Sequence, residues 1–91
     1  MNSYKILYKK PAEKFILKNK LIGLKFMKAF SEISTNIDRV KLYDIKKFHH
    51  NQFNDIFRLR IGKYRSIFRI VDDEIIIIVF DIDSRGDIYK N

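Results

Sequence analysis

Arg58 and Arg60 stand two residues apart just before Gly62-Lys63, and Arg65 and Arg69 follow it. The stretch Phe57-Arg58-Leu59-Arg60-Ile61 alternates apolar and basic residues, the period of a half-buried strand. Glycine first in a two-residue loop suits a type II′ hairpin turn. With that turn, Ile61 opposes Tyr64, Arg60 opposes Arg65, Leu59 opposes Ser66 and Arg58 opposes Ile67. One face then carries Arg58, Arg60, Arg65 and Arg69 with Ile56 and Ile67. The other carries Phe57, Leu59, Ile61, Tyr64, Phe68 and Ile70, with Ser66 as its one small polar member. Like charges directly opposite each other cost stability, and a bound anion offsets that cost. Asp81, Asp83 and Asp87 are the acids available to neutralise this face instead. Clustered guanidinium forks are the footprint of phosphate recognition.

Such a face can serve metal-free cleavage of RNA. The 2′-hydroxyl of the RNA attacks the neighbouring phosphate, and cations stabilise the charge that develops on it. A further group must handle protons. Tyr89 is the candidate, provided nearby arginines lower its pKa from about 10. Other chemistries find little support. Gly23, Gly62 and Gly86 are isolated and form no phosphate loop. His49 and His50 are adjacent, so on a strand they point opposite ways, and no metal site is expected. Cysteine is absent, which removes disulfides, a thiolate nucleophile and a Cys-based zinc site. No small-molecule cofactor is implied.

The elements that must position this face follow from periodicity and punctuation. Tyr4 to Lys9 reads as a first strand. Pro11 opens a helix, where its missing N–H needs no partner. Ala12, Phe15, Ile16 and Asn19 share one helical face, and Gly23 marks a break. Leu24, Met27, Phe30, Ile33 and Ile37 form the apolar stripe of a second helix. Asp38 to Asn54 has weak periodicity and reads as a loop with room for a short strand. After the hairpin, Asp72-Asp73-Glu74 makes a turn and Ile75 to Phe80 a central strand. Asp81 to Gly86 reads as a loop and Asp87 to Lys90 as a short terminal segment. The order is β-α-α-β-β-β, an α+β fold with a two-helix hairpin packed on one face of an antiparallel sheet.

Ninety-one residues suit a single domain, 1–91. The chain has 19 Lys and Arg against 11 Asp and Glu, a net +8 carried wholly by its first half and mostly by lysine. That imbalance points to a polyanionic partner. The longest apolar run is far too short to span a bilayer, and the start shows no signal sequence. A soluble, cytoplasmic protein with no membrane partner is expected.

The unit Phe57-Arg58-Leu59-Arg60-Ile61-Gly62-Lys63-Tyr64-Arg65-Ser66-Ile67-Phe68, the Ile/Val strand after it, and Ser84-Arg85-Gly86-Asp87-Ile88-Tyr89-Lys90 resemble the RelE/ParE toxin superfamily. The length and order of elements agree, so a RelE-like fold is implied. The resemblance implies the toxin of a type II toxin–antitoxin pair: a ribosome-dependent mRNA endonuclease that inhibits translation by metal-free 2′-hydroxyl attack in the ribosomal A site. Arg65 matches the arginine that holds the scissile phosphate. Arg58 matches a basic catalytic position, and Arg60 a further basic one. Arg85 matches the basic residue after the last strand, and Tyr89 the terminal tyrosine that stacks on a base or moves protons. Arg69 adds to phosphate binding. The implied partners are the ribosome with its mRNA and an acidic RelB-like antitoxin. Two other readings stay open, a ParE-type inhibitor of DNA gyrase and an RNA-binding domain without a reaction.

Overall fold

In a computed structural model, the structure describes residues 3–84. The elements run β1 (Lys5–Tyr8), α1 (Lys10–Lys18), α2 (Lys20–Thr35), a 3-10 segment (Ile37–Leu42), β2 (Asp44–Lys47), β3 (Ile56–Ile61), β4 (Tyr64–Val71) and β5 (Ile76–Ser84). The α+β architecture is the expected one. The five strands form one sheet in the order β1-β5-β4-β3-β2. It is mixed rather than purely antiparallel, because β1 pairs parallel to β5 at one edge. β2, the short strand from the weakly periodic segment, closes the other edge.

The hairpin of β3 and β4 has the expected register, with Arg60 opposite Arg65 and Leu59 opposite Ser66. Gly62 turns at φ +60° while Lys63 stays at negative φ, the signature of a type II′ rather than a type I′ turn. The inward face of the sheet supplies Leu59, Phe68, Ile77, Val79 and Ile82 to a core completed by Ala12, Phe26, Ala29, Phe30 and Ile33. Phe30 meets Phe68 edge-on at 5.0 Å, and Phe15 meets Tyr64 at 5.4 Å. Each fully buried Phe contributes about 1.5–3 kcal/mol. The hairpin's apolar face therefore receives the helices, as its alternation required.

The helices differ from expectation in two ways. The break falls at Asn19, whose backbone and side-chain N–H groups both donate to Phe15 O and end α1. Gly23 lies inside α2, where it lets the two helices close up: a β-carbon there would stand 3.0 Å from Ile16 Cα. The buried face of α2 is Gly23, Phe26, Ala29, Phe30, Ile33 and Ser34, so Leu24 and Met27 are exposed. The small residues set this rotation, because they permit the closest approach.

β5 also departs from expectation. It begins at Ile76, because Ile75 sits in the turn at φ +56°, a strained value for a β-branched residue. It runs on through Ser84, so Asp81 to Ser84 are strand, not loop. A bulge makes the extension possible. Ile67 pairs with Asp81 and Phe68 with Val79, leaving Phe80 as the extra residue. Without it, Asp81 and Asp83 would follow Ile77 and Val79 into the core. With it they stand on the outer face, and Ile82 turns inward. No helix among the described residues is long and apolar enough to cross a membrane.

Candidate RNA-binding face

The outer face of the sheet is a lattice of charged rows set by the strand register. One row reads Asp44, Arg60, Arg65, Asp83 from β2 to β5. The next reads Lys46, Arg58, Ile67, Asp81. A third pairs Ile56 with Arg69 and Arg69 with Ile78. Arg58, Arg60, Arg65 and Arg69 thus share one face, and the first three are near neighbours. Arg85 and Tyr89 lie outside the described residues.

The arginines differ in how they are held. Arg58 is only 8% exposed, and its Nη2 donates to Asp44 Oδ1 at 3.1 Å. Arg60 approaches the same carboxylate, with Nε 3.8 Å from Oδ2, too far for a hydrogen bond. Its Nε–H is buried with no acceptor among the described residues. One carboxylate therefore serves two guanidinium groups, and a third, Arg65, stands beside Arg60. Asp83, opposite Arg65, also accepts from the Ser84 N–H at 2.7 Å. Arg58 and Arg60 together carry more positive charge than the one carboxylate they share, with a donor left over among the described residues.

Arg69 is different. It forks onto Asp55 with bonds of 2.8 and 2.9 Å, and its guanidinium lies 4.0 Å from the centre of the Phe53 ring. The hydrogen bonds from Arg69 hold the Asp55 carboxyl below its ordinary pKa, and Asp55 raises that of Arg69 in return. This pair ties the loop between β2 and β3 down onto the outer face, and Ile56 is buried beneath it. Asp44 and Asp55 were not among the acids expected to face the arginines. Both come from a stretch whose periodicity is too weak to place a side chain. The one available signal was Asp44-Ile45-Lys46, a short alternation.

Asp81 carries no salt bridge among the described residues. Burial pushes its carboxyl above the ordinary value, opposed by a hydrogen bond from the Ile82 N–H and aided by Asp83.

What this face can do is grip a polyanion through a compact arginine cluster flanked by an apolar, aromatic loop. The family described as the ParE toxin of the type II toxin–antitoxin system, parDE, matches residues 3–89. A Methanocaldococcus jannaschii protein named as a toxin, RelE1, is 33% identical over 67 residues, covering 74% of this chain and 72% of that protein. The fold is similar to a chain of the archaeal RelE–RelB complex of Pyrococcus horikoshii, with a TM-score of 0.76 at 20% identity over 93% of this chain and 98% of that one. It is also similar to a chain of the Methanococcus jannaschii RelB–RelE complex, with a TM-score of 0.70 at 24% identity over 92% and 95%. With the family matched over nearly the whole length, the chain belongs to the RelE/ParE superfamily of toxins from type II toxin–antitoxin systems.

Proposed function

We propose that this toxin is a ribosome-dependent mRNA endonuclease. The observation that carries the reading is the pair Arg58 and Arg60, which share one carboxylate and leave Arg60 Nε–H without an acceptor among the described residues, with Arg65 opposite Arg60 on the same face. A phosphate supplies the acceptor that Arg60 lacks. The RNA 2′-oxygen attacks phosphorus, the bond to the 5′-oxygen breaks, and a 2′,3′-cyclic phosphate remains. The proton leaves the 2′-hydroxyl and another reaches the departing 5′-oxygen. Arg65 and Arg58 hold the scissile phosphate and the charge that grows on it, and Arg60 widens the grip. Tyr89 carries the proton transfer and Arg85 assists at the leaving side. Arg69 secures the loop rather than the phosphate.

The partner proposed is an acidic antitoxin, as the structurally similar chains from P. horikoshii and M. jannaschii are found with RelB. Leu17, Leu21 and Leu24 are well exposed on the helical hairpin, Leu21 at 84%, among Lys14, Lys18, Lys20 and Lys25. That combination suits an amphipathic segment rich in Asp and Glu.

The test is to add the protein to programmed ribosomes and map mRNA 5′ ends by primer extension. Cuts confined to the A site, absent without ribosomes and absent with Arg65→Ala, are expected. No cuts from the folded protein would sink the reading. The gyrase reading has one observation in its favour, the description of the matching family as ParE. Inhibition of gyrase supercoiling in place of mRNA cleavage would establish it.

A further inference from the structure

We propose that the groove between the outer sheet face and the loop ahead of β3 is a guanine-binding pocket beside the arginine cluster. The assignment rests on the RNA reading above and names the base that the face selects. The groove encloses about 390 Å³, enough for a base and part of its ribose. Ile56, Ile67 and three phenylalanines, Phe53 and Phe80 among them, line it with apolar surface, and Asp81 is among its polar lining residues.

Three features point to a planar, donor-rich ligand. The Phe53 ring is stacked by the Arg69 guanidinium at 4.0 Å, with the His50 ring 5.5 Å away, yet remains 37% exposed. Aromatic walls of this kind stack bases, a contact used throughout single-strand recognition. Asp81 lines the groove, half-buried and without a salt bridge among the described residues. The Ile82 N–H donates to this carboxylate, and a charged carboxylate in such a place gains from further donors that a ligand can bring. The register then puts the groove next to the phosphate site: Ile67 pairs with Arg58 on one side and Asp81 on the other. Two strand spacings cover about 10 Å, within the reach of one nucleotide.

The carboxylate selects the base. Guanine offers N1–H and N2–H side by side, which match the two oxygens of an ionised carboxylate. Adenine and cytosine each place an acceptor nitrogen beside their amino group, and uracil flanks its single N–H with two carbonyls. Only the guanine edge gives Asp81 two donors with no opposing lone pair.

The bulge is what brings Asp81 here. It moves Asp81 from the core side to the outer face and sets Phe80 in the groove wall beside it.

The experiment is an NMR titration of the isotope-labelled chain with GMP, AMP, CMP and UMP. GMP is expected to shift the ring signals of Phe48, Phe53 and Phe80 and to bind about tenfold more tightly than the others. Asp81→Asn is expected to erase that preference while leaving a common weak affinity through the arginines. Phe53→Leu is expected to weaken all four nucleotides in the groove. Equal binding of the four nucleotides, shifts confined to the arginine cluster, or a guanine preference that survives Asp81→Asn would each overturn the proposal. The function above fails separately: guanine preference without ribosomal cleavage removes the endonuclease and keeps the pocket, and cleavage without guanine preference does the reverse.

Discussion

Asp55 and Asp44 each meet arginine on the outer side of the sheet, one near either end of β3. Asp55 gives both oxygens to one guanidinium at 2.8 and 2.9 Å, and Phe53 covers that guanidinium. Asp44 divides itself between two, one at 3.1 Å and one at 3.8 Å. The first contact is complete and fixes a loop. The second leaves the Arg60 Nε–H without an acceptor among the described residues. Four arginines that look alike in sequence therefore differ in structure: Arg69 has a carboxylate to itself, while Arg58 and Arg60 share one.

The largest effect expected is on cleavage. Arg65→Ala should lower A-site cutting by about 10²–10³-fold, the loss typical of one donor to a developing oxyanion. Arg69→Ala should leave the rate within about tenfold of the wild type at a temperature where both are folded, since its partner is Asp55. Single-turnover cutting by both variants compares the two regions directly. An Arg69 variant as inactive as the Arg65 variant would merge them.

Stability should show the opposite pattern. Asp55→Ala removes a two-bond ion pair that is partly shielded from solvent, a loss of about 1–2 kcal/mol. Because Arg69 lowers the Asp55 pKa, this stabilisation is present above the unfolded carboxylate value near 3.9 and is lost as pH falls through the folded one. Denaturant unfolding between pH 2 and 6 should show a flatter acid limb for Asp55→Asn. An unchanged limb would mean the fork does not persist in solution.

This division explains what the sequence could and could not reveal. The β3–β4 hairpin was legible because a period of two and a Gly-first turn fix every pairing, Arg60 against Arg65 included. The acids were not. Asp44 and Asp55 lie at the two ends of a stretch without period, and only the fold brings them to the arginines. Asp81 reads as loop in sequence because the bulge sits at the end of the run from Ile75 to Phe80, where every residue is apolar and no alternation marks the slip. The stripe of the second helix differs from its sequence pattern for a related reason. Leu24 and Met27 outweigh Gly23 and Ala29 in hydrophobicity, but packing followed the small residues.

Asp44→Asn sharpens the comparison further. Removing the shared carboxylate should tighten binding of a short RNA by a few-fold and steepen its dependence on salt, since more of the cluster's charge then faces phosphate. It should also cost about 1 kcal/mol, because Arg58 is buried and loses its charged acceptor. Binding isotherms at several salt concentrations read the first effect and denaturation the second. Weaker RNA binding would show that Asp44 orients the arginines instead of competing for them.

The smallest effect concerns Asp81. Burial raises its folded pKa above the unfolded value, so its contribution to stability is fully present below that unfolded value and is lost as pH rises through the folded one. At neutral pH the ionised carboxylate therefore works against folding. Asp81→Asn should abolish this loss, leaving the variant slightly more stable than the wild type near pH 7 and no more stable at pH 3. Paired melting curves at the two pH values measure it. The same gain at both pH values would trace the effect to packing rather than charge. A gain confined to neutral pH marks Asp81 as a residue the fold would be better without, and a guanine edge is what gives its charge a use.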